Sequence, residues 1–82
     1  MPRIVYGVRV SNRYEGVGAV EAAFSSESTA CAYALSRSAE KYGNAGDVSQ
    51  WVVDNPGVYD WVASFEDGKE KHRNTRRPTT RR

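Results

Sequence analysis

Residues 25–43, "SSESTACAYALSRSAEKYG", constrain the fold most, because they spell one helix with both ends marked. Ser25 or Ser26 can accept hydrogen bonds from the free amides of the first turn. Glu27 puts a negative charge where the helix dipole favours one. Lys41 falls in the last turn, and Gly43 is placed for the left-handed conformation that closes a helix. Cys31, Ala34, Leu35, Ser38 and Tyr42 recur at three- and four-residue steps and are expected to form the buried stripe. Apart from Leu35 and Tyr42 that stripe is made of small side chains. Protein interiors are filled to near-crystalline density, so the missing volume must come from what the helix covers.

Strand-like segments supply it. In "IVYGVRV", residues 4–10, Ile4, Tyr6, Val8 and Val10 alternate with Val5, Gly7 and Arg9, the period-two pattern of a strand. The turn residues of "SNRYEG" separate it from "VGAVEAAF", residues 17–24, and the short spacing predicts an antiparallel hairpin. After the helix, "SQWVVD" (49–54) and "VYDWVASF" (58–65) read as strands around a Pro56-Gly57 turn. Tyr59, Trp61, Ala63 and Phe65 share one face and, with Trp51 and Val53, are assigned to the helix. The other face is expected to carry Val5, Arg9, Val58, Asp60 and Val62, either solvated or turned to a partner. The order predicts an α+β fold. It is a small antiparallel or mixed sheet, β-β-α-β-β, with one helix packed on one face and a basic C-terminal tail. Residues 1–66 form a single domain and residues 67–82 a flexible tail.

Charge divides at the same boundary. Residues 1–66 carry five basic and eight acidic groups, a net −3. Residues 67–82 carry seven basic groups and two acids, a net +5. The tail residues Lys69, Lys71, Arg73, Arg76, Arg77, Arg81 and Arg82 are therefore the candidate binding set for a polyanion. Three readings stand side by side: a phosphate-gripping arm, a solvated end, and a segment that docks on an acidic protein surface. The tail has no aromatic residue, so it offers no base stacking. The aromatic residues elsewhere could form a stacking platform on the sheet, but core packing is the preferred assignment.

Catalytic, metal and cofactor signals are weak. The single cysteine, Cys31, cannot form an internal disulfide. The single histidine, His72, supplies no zinc spacing. Cys31 with His72 is the only conceivable nucleophile–base pair, and it would need a tail residue to reach the helix stripe. "GVGAV", residues 16–20, begins like a glycine-rich phosphate loop, but Glu21 stands where a third glycine is required. No catalytic residue, metal ligand or cofactor is assigned. No run of apolar residues is long enough to span a bilayer, and the first ten residues lack the pattern of a signal peptide. The expectation is a soluble protein of the cytoplasm.

The hairpin turn Tyr14-Glu15-Gly16, the cap Phe24-Ser25-Ser26 and the early helical Ala30 or Ala32, followed by "QWVVD", resemble small proteins encoded by tailed bacteriophages and prophages. The likeness covers about residues 4–54, and its motifs are structural. The family carries no known catalytic residues, so none transfer. The resemblance implies a phage accessory protein acting in a bacterial host cell. It leads to a non-enzymatic protein that binds a host or viral protein through its open sheet face, its Arg-rich tail, or both. A sequence-blind nucleic-acid-binding protein using the tail and a structural capsid or tail accessory are the alternatives. A homodimer through sheet faces or an edge strand stays open, and no membrane partner is expected.

Overall fold

The computed structural model of the chain describes residues 3–55 and 59–75. The elements are β1 (Ile4–Asn12), β2 (Val20–Phe24), α1 (Glu27–Glu40), β3 (Asn44–Val52), β4 (Tyr59–Glu66) and β5 (Lys69–Arg73). They build a five-stranded antiparallel sheet of order β2-β1-β3-β4-β5, with α1 packed on one face. The α+β class and the β1–β2 hairpin are as expected from the sequence. The element order is not the expected β-β-α-β-β. A fifth strand follows β4, so the sheet runs through Lys69, Lys71 and Arg73, which were expected in a flexible tail. The other expected tail residues, Arg76, Arg77, Arg81 and Arg82, lie outside the described residues, as does the Pro56-Gly57 turn.

The helix starts as its sequence dictates. Ser26 is the N-cap, and its Oγ accepts the Thr29 amide proton. Of the expected stripe, Ala34 and Ser38 are buried and Cys31 is half-buried, but Leu35 is 38% exposed and Tyr42 71% exposed. Ala30, Ala34 and Ser38 make the buried face, at steps of four. The cause is how closely α1 approaches β3. A Cβ on Gly46 would stand 2.9 Å from the Ala34 carbonyl oxygen and 3.1 Å from the Ala34 Cβ. Only small side chains fit such a contact.

Of the rings assigned to this interface, Phe65 is in place and Trp51, Tyr59 and Trp61 are not. Beneath the helix lie Val8, Val48, Val62, Ala63 and Phe65. Trp51, Tyr59 and Trp61 are on the opposite face. A β-bulge in β4 sorts them: Val48 pairs with Ala63, but the next residue, Ser49, pairs with Trp61. Val62 is the extra residue, and one added residue reverses the alternation beyond it. Ala63 and Phe65 therefore face the helix, Val62 is fully buried, and Trp61 and Tyr59 face away. Asp60, opposite Gln50, is on the helix side instead of the open face expected for it.

Two devices lock the sheet to the helix. The first is a buried asparagine pair. Asn12 Nδ2 donates to Asn44 Oδ1 at 2.9 Å and to the Tyr42 carbonyl at 3.0 Å, and Asn12 Oδ1 accepts the Tyr14 amide at 2.8 Å. Asn44 Nδ2 donates to the Arg37 carbonyl at 2.8 Å. The β1–β2 turn, the end of α1 and the start of β3 are thus tied at one point. The second is the β4–β5 turn. Asp67 and Gly68 both have positive φ (53° and 75°), as a two-residue type I′ hairpin requires. The Gly68 amide donates to Ser38 Oγ at 2.9 Å, which fastens this turn to the helix.

Gly46→Ala tests the close approach. The methyl group would meet helix backbone, which cannot rotate away, so a loss of about 1–3 kcal/mol is expected. It should appear as a lower urea midpoint with an unchanged slope. An unchanged midpoint would show that the helix is free to lift.

Candidate functional site

Helix α1 covers one face of the sheet and leaves the other open. The open face is laid out by register. Trp51 stands beside Val5 on one side and Tyr59 on the other; Ser49 stands between Gly7 and Trp61; Asp47 stands between Arg9 and Ser64. On β5, His72 lies opposite Ser64 and Lys69 opposite Glu66.

Its aromatic part is ordered by a glycine. A Cβ at Gly7 would be 3.3 Å from Trp51 Nε1, so the indole lies over the bare backbone of β1. Tyr59 stacks on the indole, with centroids 4.6 Å apart and planes 18° from parallel. Tyr59 remains 55% exposed. Beside this pair is a groove of about 260 Å³, lined by Gly7, Arg9, Val20, Asp47, Ser49, Trp51, Tyr59 and Trp61.

Asp47 is the half-buried acid of the groove. Burial raises its pKa above the ordinary carboxylate range; Arg9 opposes the shift, Glu66 adds to it and a Trp61 hydrogen bond lowers it. Charge on the helix side is arranged differently. Arg37 donates to Glu21 at 2.7 Å and to Glu40 at 2.6 Å, and the Tyr33 hydroxyl donates to Glu21 at 2.6 Å. These bonds lower the Glu21 pKa, with the Arg37 contribution the larger. Lys41 pairs with Glu15.

The expected tail residues divide across these two faces. Arg73 is committed to the helix side, where it donates to Glu70 at 2.7 Å and stands 3.6 Å from Glu27. Lys69 and Lys71 are exposed. Cys31 packs against the core under the helix, where burial raises its thiol pKa. His72 is on the open face. The conceivable nucleophile–base pair is therefore split by the sheet. The aromatics of the open face were missed because the sequence reading placed them in the core. Their signal was the unbroken apolar run Trp61-Val62-Ala63, which a simple alternation cannot bury on one side.

Among the described residues no group of three or more His, Cys, Asp or Glu side chains is placed to hold a metal ion. Among them, no helix is long and apolar enough to cross a membrane. Set against protein-family models, curated proteins and solved structures, the chain matches none.

The pKa of Asp47 sets a pH dependence with a definite sign. Its folded pKa lies above the unfolded one, so the folded state holds the proton more tightly. The Asp47 contribution to stability is then greatest at acid pH and falls as pH rises through the window from the ordinary carboxylate value to the raised one. Asp47→Asn removes that loss. Urea midpoints should converge for the two proteins at acid pH and favour the variant at neutral pH. A variant less stable at neutral pH would show that Asp47 is held by compensating partners.

Proposed function

We propose that this chain is a non-enzymatic binding protein that offers its open sheet face to a macromolecular partner. The setting we propose is the one implied by the sequence resemblance, a phage accessory protein in a bacterial host cell. One observation carries the reading: both tryptophans, Trp51 and Trp61, stand with Tyr59 on the uncovered face, while the buried core under the helix is alanine and valine with the ring of Phe65, edged by Tyr6, Phe24 and Tyr33. Aromatic side chains bury large areas and dominate interface energetics. A fold of this size has few rings for its own core, so three on the outside are a surface for contact. The division of Cys31 and His72 between the two faces further supports binding over catalysis.

The test is a comparison of faces. Tyr59→Asp changes the open face; Leu35→Asp changes the outer side of α1. Both positions are exposed, so both variants should keep the wild-type circular dichroism spectrum. Capture from host lysate should lose a retained partner with Tyr59→Asp and keep it with Leu35→Asp. Equal retention by both variants would remove the open face as the binding surface.

A further inference from the structure

We propose that the partner of the open sheet face is single-stranded nucleic acid, an inference that rests on the binding role proposed for that face. Tyr59 has one ring side against Trp51 and is still more than half exposed. Its second side is available to extend the stack with a base. Base–aromatic stacking requires bases that are not already paired, which selects single strands over duplex. The groove beside the stack, about 260 Å³, falls below the roughly 300–1,000 Å³ typical of larger ligand sites. It has room for one planar group. Within it, the Asp47 carboxylate is placed to accept an amino proton from a base held there.

The ion pairs lie off the open face. The ion pairs among the described residues use Arg37, Lys41 and Arg73. Arg9 and Lys69, on the open face, close no ion pair among the described residues. Arg9 stands beside Asp47 and Lys69 beside Glu66, and both side chains are exposed and within reach of phosphate. The Asn74 amide donates to the Val62 carbonyl at 2.9 Å, and its side chain donates to the Trp61 carbonyl at 2.8 Å. Asn74 thus fastens the end of β5 next to Trp61.

The experiment uses the full chain and a fluorescein-labelled single strand of about 12 nucleotides, within the range one small sheet covers, with the matching duplex as comparison. Fluorescence anisotropy at low salt should show the single strand bound more tightly than the duplex, with weakening as salt is raised and quenching of tryptophan emission. Tyr59→Ala should weaken binding about 5- to 100-fold, as loss of one stacked base implies, and Tyr59→Phe should restore it. The circular dichroism spectrum should be unchanged in both. No binding at low salt, a preference for duplex, or an undiminished affinity in Tyr59→Ala would each overturn the proposal. Lysate capture after nuclease treatment separates the two levels. If the oligonucleotide fails and a Tyr59-dependent protein is still retained, nucleic acid is wrong and the binding face stands. If retention also ignores Tyr59, the face itself is wrong.

Discussion

Everything in this fold follows from how near α1 comes to β3. Gly46 lacks a side chain where the Ala34 backbone passes, and a methyl group there would sit 2.9 Å from a carbonyl oxygen. Ala30, Ala34 and Ser38 make the matching surface on the helix. Small residues at this contact leave no room for an indole, and both tryptophans lie on the other side, while Phe65, opposite Gly46, stays under the helix. The covered side keeps rings of its own, Phe65 with Tyr6, Phe24 and Tyr33 around it.

The bulge at Val62 makes that outcome compatible with a continuous strand. Without it, Tyr59 and Trp61 would share a face with Ala63 and Phe65, and the core would be overfilled. With it, one strand serves both faces: Phe65 and Ala63 at one end for the interior, Trp61 and Tyr59 at the other for the exterior. The polar contacts rank behind this packing. Surface ion pairs such as Arg37–Glu21 are worth about 0–1 kcal/mol each. The buried Asn12–Asn44 pair is the stronger polar tie, since leaving one such group unpaired costs about 1–3 kcal/mol.

Much of the framework was legible in the sequence. The marked helix ends, the alternation of residues 4–10 and the first hairpin gave the α+β class directly. The first half of β3 was not legible, because Asn44, Ala45, Gly46 and Asp47 have no strand preference of their own; pairing with β1 and β4 holds them extended. The β4–β5 hairpin was present in the Asp67-Gly68 pair, a recognised turn signal, but the charge of the segment drew the reading toward a loose tail. The open face was the largest miss. The small helix face is complemented by valines and Phe65, without the indoles that its missing volume suggests.

Strand β5, "KEKHR", is exposed at all five positions, and every residue is charged or titratable. It forms one rim of the sheet, where unpaired backbone groups would otherwise invite another molecule's strand to add on. Charged side chains make such edge-to-edge growth costly. At that rim the sheet is sealed against polymerisation by its own composition, and encounters are directed to its broad surface.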